Sequence, residues 1–508
     1  MSQKQKKAKN KFKSKTRQSK KLQQGSQSQA KSQAKVELQT LPATKNAKIP
    51  QKNQSLDNKK EKTWLPFGHK GPCSQLAECG ACPLLPLTAS EQYEWKRQNL
   101  SDYFAHYSCL QSVNIHLDAH LFNQTQPDVH YRYSAKPSVR PGLNDQAPFK
   151  IGLYQPKSHN LVDLEACLAQ SPLINALFDS LRVFCPAVGL KAYQHSEEHD
   201  SSCRLRYIVI RQGEHASATK AKQPALYLTL IVLNADQDKL MTLVGLLRSK
   251  HPELSGVAVH ENHLSGNAIF DFSKPSTLLW GEPALYHHLK LTSDIDPLKK
   301  PLKIQVSATS FTQVNPVVAE RAYRKVVEQL NPQPNDLVID LYCGVGSIGL
   351  LLAQQARLNG GPLKKLWGLE ETQSSINDAL TNAEHNHIHE AEFILGRAED
   401  QLDLLKAQLD NEMIQEKLPK KLPNKDSQLL IALNPSRRGC HPNVLEAITR
   451  LKPNKIVYMS CHARTLSRDL SLLASLGYQT QETTLFDMFP GSFHYETVSL
   501  LIPNHLGS

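Results

Sequence analysis

The feature that most constrains the fold of this 508-residue chain is a glycine-rich loop that follows a short apolar run. The run LVIDL, at 337–341, passes directly into YCGVGSIG and then into the apolar stretch LLLAQQA. Gly344, Gly346 and Gly349 therefore match the spacing G-x-G-x-x-G between a predicted strand and a predicted helix, the setting in which such a loop binds a nucleotide. The sequence thus predicts an α/β sheet with a nucleotide-type ligand.

A carboxylate follows at the end of the next predicted strand. Glu370 closes the run LWGLE, 26 residues after Gly344, at a distance suited to binding ribose hydroxyls. A dinucleotide and S-adenosylmethionine both carry such a ribose, so this acid does not choose between them. Upstream of the glycine loop, Asn315 and Pro316 supply an N-cap and a first-turn proline, which predicts that a helix begins there.

Polar residues also follow the later strands. Strands are predicted at 429–433, 455–459 and 497–501; the first is followed by NPSR and the second by Ser460 and Cys461. Because the carboxyl ends of neighbouring strands in an open α/β sheet share one crevice, these residues are expected to meet the ligand. A thiol beside a nucleotide-type cofactor favours covalent attack on an electrophilic substrate, and hydride transfer would not explain NPSRRG.

Three of the ten cysteines form a cluster, Cys73-x5-Cys79-x2-Cys82. This density is too low for a disulfide scaffold, and the spacing indicates a metal site in a reducing compartment. The spacing alone leaves zinc and iron open.

The net positive charge of the chain comes from its N-terminal segment. Residues 1–62 hold 18 lysines and arginines against three acids, whereas the whole chain has a net charge of +13. With one aromatic residue and little apolar periodicity, this segment is predicted to be a disordered tail that attracts nucleic-acid phosphate. It lacks the apolar core of a signal peptide, and the chain has no apolar run long enough for a membrane span, so we expect a cytoplasmic protein.

Five ordered motifs resemble the RNA (uracil-C5)-methyltransferase family: SFTQVNP, LYCGVGSIGL, ALNPSRRG, SCHARTLSRDL and FDMFPGSFHYETVSLL. The resemblance extends over roughly residues 65–508. It implies a class I (Rossmann-like) methyltransferase domain at 301–508 with S-adenosyl-L-methionine as the methyl donor. Short strands predicted at 205–211, 225–232 and 256–261 indicate that 63–300 holds a smaller α+β central domain, and the resemblance implies that this domain binds RNA.

The resemblance also implies a role for each residue at the strand ends. Cys461 would add to C6 of uracil, because C5 is a poor nucleophile until a thiolate has added, and Glu496 would then remove the C5 proton. His494 is the local rival for the base, and Cys343 and Cys440 are the competing thiols. The implied cofactor contacts are Gln313, the Tyr342 backbone, Glu370 and Asn434. Arg437 and Arg438 would meet RNA phosphate or solvent.

The 23S rRNA branch of the family binds a [4Fe-4S] cluster through a cysteine triplet and a fourth cysteine that precedes a short apolar helix. Cys167, in LVDLEACLAQSPLIN, resembles that fourth position. The resemblance therefore implies four cluster ligands: Cys73, Cys79, Cys82 and Cys167. The other cysteines of this half of the chain match no ligand position: Cys109, Cys185 and Cys203.

The sequence features divide between two branches of the family. The missing OB-like module and the Asn of NPSRRG resemble the 23S rRNA branch, whereas the C-x5-C-x2-C spacing resembles the branch that carries the module. We expect a monomer that methylates a uridine of 23S rRNA. The alternatives are a tRNA methyltransferase, a non-catalytic RNA-binding assembly factor on the same scaffold, and an oxidoreductase that uses the glycine loop and the cluster.

Overall fold

The computed structural model describes residues 73–118, 129–144, 147–194, 202–215, 223–291, 300–415 and 427–504. The basic tail predicted for 1–62 lies outside these ranges. Among the described residues, no helix combines the length and the apolar composition needed to cross a membrane.

The helices of the described ranges are α1 Leu76–Cys79, α2 Ala89–Phe104, α3 Pro172–Ala187, α4 Gln237–Lys250, α5 Pro316–Leu330, α6 Ser347–Leu358, α7 Gln373–His385, α8 Ala398–Gln415, α9 Pro442–Arg450 and α10 Ala463–Ser475. The strands are β1 Asn114–Leu117, β2 Ser134–Ala135, β3 Ser138–Asn144, β4 Ala147–Tyr154, β5 Leu161–Asp163, β6 Lys191–Ala192, β7 Arg204–Glu214, β8 Pro224–Val232, β9 Leu254–Glu261, β10 Thr277–Gly281, β11 Ala284–Leu289, β12 Leu302–Ser307, β13 Leu337–Leu341, β14 Lys365–Glu370, β15 Ala391–Leu395, β16 Leu429–Leu433, β17 Lys455–Ser460, β18 Tyr478–Phe486 and β19 Glu496–Pro503.

Strand β1 and strands β13–β19 form one sheet in the order β1-β18-β19-β17-β16-β13-β14-β15. Strands β13–β17 pair in parallel, whereas β19 runs antiparallel to both β17 and β18. Helices on the two faces bury two separate apolar cores. Since β14 lies on one side of β13 and β16 on the other, a crevice opens at the carboxyl ends of these strands. The strands predicted at 337–341 and 429–433 are confirmed to the residue.

The glycine loop joins β13 to α6 as predicted. Gly344 and Gly346 have φ angles of 55° and 83°, in the left-handed region where a side chain is disfavoured. Gly349 lies in the first turn of α6, where an added Cβ would come within 3.0 Å of the Leu366 side chain and 3.1 Å of an Asp340 carboxylate oxygen. The motif thus lets the loop turn tightly and lets the helix pack closely on the sheet. The predicted start of α5 is also confirmed, with Asn315 as N-cap.

The central part of the chain builds a second sheet, in the order β10-β9-β8-β7-β3-β4-β5, with the short strands β2 and β6 paired to β7. Strand β11 pairs with β7 and with β12, which leads toward α5. Helices α3 and α4 bury their apolar residues against this sheet. The strands predicted at 205–211, 225–232 and 256–261 are confirmed as parts of β7, β8 and β9.

Residues that precede the central sheet in sequence pack on the first sheet instead. Helix α2 contributes Leu100 and Phe104 to the same apolar core as strands β13 and β16, and both side chains are buried. Strand β1 pairs in parallel with β18, and Asp118 accepts a 2.6 Å hydrogen bond from Arg321 of α5. The predicted boundary at residue 300 does not anticipate this packing. The sequence of an amphipathic helix shows that one face is apolar, but it does not show which sheet that face will pack against.

Candidate active site

The ends of β13, β14, β16 and β17 and the start of β19 surround a cleft of ≈ 1180 Å³. The predicted catalytic and cofactor-binding residues all line it: Gln313, Tyr342, Glu370, Asn434, Cys461 and Glu496. The structure therefore brings together side chains that are up to 183 positions apart in sequence.

Glu370 and the glycine loop form one end of the cleft. The two Glu370 carboxylate oxygens accept hydrogen bonds from the backbone N–H groups of Gly344, at 3.2 Å, and Thr372, at 3.0 Å. Tyr342, with a φ of 61°, begins the turn. An added Cβ at Gly344 would meet no protein atom within 4 Å, so the glycine leaves open space in the cleft. This end can hold an adenosine-type ligand, with the acid on its ribose.

Asp378 of α7, which the sequence did not single out, holds the segment ahead of Gln313. Its carboxylate accepts hydrogen bonds from the Ser307 backbone N–H, at 2.8 Å, and the Ser310 hydroxyl, at 2.6 Å. Gln313 itself hydrogen-bonds to the hydroxyl of Tyr323, a buried residue of α5 that also lines the cleft. Nothing in the sequence around Asp378 marks it, because its partners lie about 70 residues upstream.

The pairing of β17 with β19 brings the proposed nucleophile and base together. In this antiparallel pair Ser460 lies opposite Thr497, so the next positions outward are Cys461 and Glu496. Cys461 is half-buried and directly precedes His462, the N-cap residue of α10. Glu496 is buried as the first residue of β19.

Burial and the charge of Arg437 have opposite effects on the pKa values of Cys461 and Glu496. Burial raises the pKa of the Cys461 thiol to about 11, the Glu496 charge adds to the rise, and the Arg437 guanidinium, which also hydrogen-bonds to the thiol, lowers it. Burial likewise raises the pKa of Glu496 to about 8, and Arg437 again opposes the rise. The side chain predicted to meet RNA phosphate or solvent therefore also faces both reacting groups.

Helix α10 holds the loop that carries Arg437. The Thr465 hydroxyl donates to the Arg437 carbonyl at 3.2 Å, and the Arg468 guanidinium donates to the carbonyls of Arg438 and Cys440, both at 3.1 Å. Side chains of the SCHARTLSRDL motif thus fix the backbone of the NPSRRG motif.

A buried carboxylate completes this attachment. Asp469 accepts hydrogen bonds from the Cys440 backbone N–H, at 2.8 Å, and from the Tyr458 hydroxyl, at 2.6 Å. Gly439 has a φ of 72°, and an added Cβ would lie 2.4 Å from an Asp469 oxygen, so this position requires glycine. The sequence did not identify Asp469, since it reads as one more polar residue of a helix.

The competing thiols Cys343 and Cys440 also line the cleft, but their surroundings differ from those of Cys461. Cys343 and Cys440 are both buried; burial raises the pKa of Cys343 far above its ordinary value and that of Cys440 to about 12. The Cys343 thiol packs against Gly368, where an added Cβ would be 3.0 Å from the sulfur. His494 packs edge-on against Phe489, with ring centroids 6.0 Å apart, and it is Glu496 that lines the cleft.

Cys73 and Cys82 lie on either side of α1, Cys79 is the last residue of that helix, and Cys167 follows β5, yet these four predicted cluster ligands lie near one another. Burial raises the pKa of the Cys82 thiol to about 12, and the charges of Cys167, Cys79 and Cys73 add to the rise. The charges of Cys167 and Cys73 also raise the pKa of the Cys79 thiol, in addition to the larger effect of burial. No three histidine, cysteine or acidic side chains of the described ranges are arranged to hold a single metal ion. The other cysteines lie apart, with Cys109 exposed and with Cys185 and Cys203 in the core of the central sheet.

The chain is similar to known proteins in sequence and in structure. Residues 291–504 match the family model described as tRNA (Uracil-5-)-methyltransferase. An uncharacterized RNA methyltransferase of Bacillus cereus is 30% identical over 439 residues, which span 86% of this chain and 84% of the relative. An uncharacterized RNA methyltransferase of Clostridium tetani is 29% identical over 431 residues, which span 85% of this chain and 82% of the relative. The crystal structure of Pyrococcus abyssi tRNA (uracil-54, C5)-methyltransferase in complex with S-adenosyl-L-homocysteine matches with a TM-score of 0.57 and 20% identity over 83% of this chain and 85% of that one, which supports a mixed α/β methyltransferase fold.

Arg437→Met should make Cys461 less reactive, because removal of the guanidinium raises the thiol pKa and lowers the thiolate fraction at any pH below about 11. We expect alkylation of the Cys461 peptide by iodoacetamide at pH 8 to slow about tenfold, the effect of one pKa unit. Mass spectrometry of the Cys461 peptide across a pH series measures this rate. Arg438→Met is the matched control and should leave the rate unchanged; equal slowing in both variants would contradict the assignment.

Proposed function

Because the chain belongs to the tRNA (uracil-5-)-methyltransferase family of RNA methyltransferases, we propose that it transfers a methyl group from S-adenosyl-L-methionine to C5 of a uridine in RNA. The observation that carries the proposal is the pairing of Cys461 with Glu496 in a cleft that also contains the glycine loop and Glu370. A non-catalytic RNA-binding factor has no need of this pair, and an oxidoreductase has no need of a thiol beside Arg437.

The residues at the glycine-loop end fit the methyl donor. Glu370 would bind the ribose hydroxyls. The ligand would occupy the space that Gly344 leaves open and would lie against the backbone from Tyr342 to Gly346. Gln313 and Asn434 would contact its far end, toward the uracil. When bound, S-adenosyl-L-methionine supplies an electrophilic methyl group on a sulfonium.

The nucleophilic step begins with Cys461. Its thiol loses a proton to solvent, and the thiolate forms a bond to C6 of uracil while the electron pair of the C5–C6 double bond moves onto C5 and O4. Arg437 and the N-terminus of α10 stabilise the thiolate, which burial alone disfavours. C5 then takes the methyl group and carries both that group and its original proton.

Glu496 completes the reaction as the base. Its ionised carboxylate takes the C5 proton, the electron pair of the C–H bond restores the C5–C6 double bond, and the C6–S bond breaks to release the Cys461 thiolate. With a pKa of about 8 in the free enzyme, Glu496 is a stronger base than an exposed glutamate once it is ionised. Activity should therefore rise as the pH increases through about 8, where Glu496 ionises, and continue to rise toward about 11, where Cys461 ionises, since both groups act in their ionised forms.

For the RNA we propose 23S rRNA, and tRNA is the alternative that the description of the matching family favours. Cys167, which resembles the fourth ligand position, and the Asn of NPSRRG support the rRNA substrate, because both resemble that branch, whereas the C-x5-C-x2-C spacing resembles the other branch. Incubation of the protein with labelled methyl donor and total RNA, followed by mapping of the labelled 5-methyluridine, tests this choice. Label in 23S rRNA is the expected result, and label only in tRNA would contradict it.

We further propose that Cys73, Cys79, Cys82 and Cys167 hold a [4Fe-4S] cluster. The charges of Cys73 and Cys167 both raise the pKa values of Cys79 and Cys82, so the four thiols are close enough to act as one donor set, and thiolates are the ordinary ligands of iron–sulfur clusters. Arg132 lowers the pKa of Cys82 and so favours the thiolate that ligation requires. The cluster would join the segment around α1 to the end of β5.

Two variants separate the proposed steps of the reaction. Cys461→Ala should lose methyl transfer while S-adenosyl-L-homocysteine binding, measured by calorimetry, is unchanged, because the thiol acts on uracil alone. Glu496→Gln should methylate C5 and then stall, which accumulates a labelled enzyme–RNA adduct on denaturing gels, with turnover reduced by about 100-fold or more. Substantial turnover by Cys461→Ala, or a Glu496→Gln enzyme with normal rates and no adduct, would contradict these roles.

Replacement of a proposed cluster ligand should lower the iron content. Cys82→Ser and Cys167→Ser are each expected to lose most of the iron of anaerobically purified protein, as measured by elemental analysis. Cys109→Ser, at an exposed position, is the matched control and should keep the wild-type iron content. Stoichiometric zinc without iron in the wild-type protein would contradict the cluster assignment.

A further inference from the structure

The segment that leads into Glu496 runs through residues 487–495, here called the base loop, between β18 and β19. Phe489 of this loop lines the cleft together with Glu496. The loop has no regular secondary structure to hold it, so the position of the proposed base depends on what the loop contacts.

One face of α2 contacts the base loop along its length. Gln92, Trp95, Lys96 and Asn99 are spaced three, one and three positions apart, which places them on the same side of the helix. The Gly491 backbone N–H donates to Gln92 at 2.7 Å. The Trp95 ring packs on that of Phe493 with centroids 4.8 Å apart, and the Tyr495 hydroxyl donates to Asn99 at 2.9 Å.

A buried ion pair lies at the centre of this contact. The Lys96 ammonium is 2.6 Å from the Asp487 carboxylate, and their side chains are 0% and 2% exposed. Lys96 also donates to the Phe489 carbonyl at 3.2 Å, while the Phe489 N–H donates to the same Asp487 oxygen at 3.2 Å. The pair therefore holds both backbone polar groups of a residue that lines the cleft.

Stability alone is a poor explanation for this pair. Two buried charges lose their hydration, and apolar residues of similar volume often give equal or greater stability. What an apolar pair cannot supply is a donor to the Phe489 carbonyl and an acceptor for the Phe489 N–H. The directional contacts thus point to a role in setting the conformation of the loop.

We propose that Lys96 and Asp487 are positioning residues for the base, which fix the base loop so that Glu496 reaches the C5 proton. This inference rests on the proposed function, because it assumes that Glu496 removes that proton. It gives α2 a role beyond the core of the sheet, since the helix carries the lysine to the loop.

The test is a double variant, Lys96→Met/Asp487→Leu, which removes both charges and leaves neither one buried alone. The protein is incubated with total RNA and methyl-labelled S-adenosyl-L-methionine, and the labelled covalent adduct is followed over time on denaturing gels. We expect the adduct to accumulate and to resolve about 10- to 100-fold more slowly than in the wild type, the effect of a misplaced reacting group. The affinity for S-adenosyl-L-homocysteine, which binds away from the base loop, should be unchanged.

Two controls make the result specific. Arg97→Met alters the neighbouring residue on α2, which pairs with Glu94 at the surface, and should resolve the adduct at the wild-type rate. Gln92→Leu removes the acceptor of the Gly491 N–H together with a donor to the Leu87 carbonyl, and leaves the Lys96–Asp487 pair in place. It should show the same slowing to a smaller extent, so the inference can be tested even if the double variant does not fold.

Glu496→Gln separates a failure of this inference from a failure of the proposed function. If Glu496→Gln accumulates adduct but folded Lys96→Met/Asp487→Leu and Gln92→Leu resolve theirs at the wild-type rate, the positioning role is wrong and the function stands. A parallel loss of cofactor affinity and activity would also overturn the positioning role and leave the pair purely structural. If Glu496→Gln accumulates no adduct, both proposals fail.

Discussion

The antiparallel pairing of β17 with β19 is the constraint on which the site depends. A strand register fixes which residues stand opposite each other, and here Ser460 opposite Thr497 leaves Cys461 and Glu496 as neighbours at the end of the pair. A shift of one residue would turn the side chains of β19 to the opposite faces of the sheet. The apolar residues of both faces oppose such a shift, because Val498 and Leu501 are fully buried in different cores.

The sheet places the Cys461 thiol and the Glu496 carboxyl group together, but burial disfavours the charged forms of both that the proposed chemistry uses. Arg437 counters this for both groups, and it can do so because α10 fixes the loop through Thr465, Arg468 and Asp469. The site thus combines a buried carboxylate and a half-buried thiol with the exposed guanidinium of Arg437.

Much of the fold could be predicted because the features that specify it involve residues close to each other in the sequence. Strands β13 and β16 are continuous apolar runs, the glycine loop requires backbone angles that only glycine adopts readily, and Asn315 caps the helix beside it in sequence. Glu370, Asn434 and Cys461 could be placed for a related reason, since they end or follow strands that the apolar runs identify, whereas Gln313 and Glu496 are candidates only through the resemblance of their motifs to the family.

The undetected features depend instead on partners far away in the chain. Asp378 holds residues about 70 positions upstream, and Lys96 pairs with a residue 391 positions away. A lysine in an amphipathic helix usually lies at the surface, and only the packed structure shows that this one is buried. The same is true of β1, which joins the edge of a sheet whose other strands begin more than 200 residues later.

The central claim is that Cys461 forms a covalent bond to C6 of a uridine. It is tested most directly with RNA in which uridine is replaced by 5-fluorouridine, because the fluorine at C5 cannot be removed as a proton and the adduct cannot resolve. After incubation with S-adenosyl-L-methionine, nuclease and protease digestion, mass spectrometry should find a methylated fluorouridine nucleotide attached to the peptide that contains Cys461. A nucleotide attached to the peptide of Cys343 or Cys440, or no covalent nucleotide at all, would contradict the mechanism.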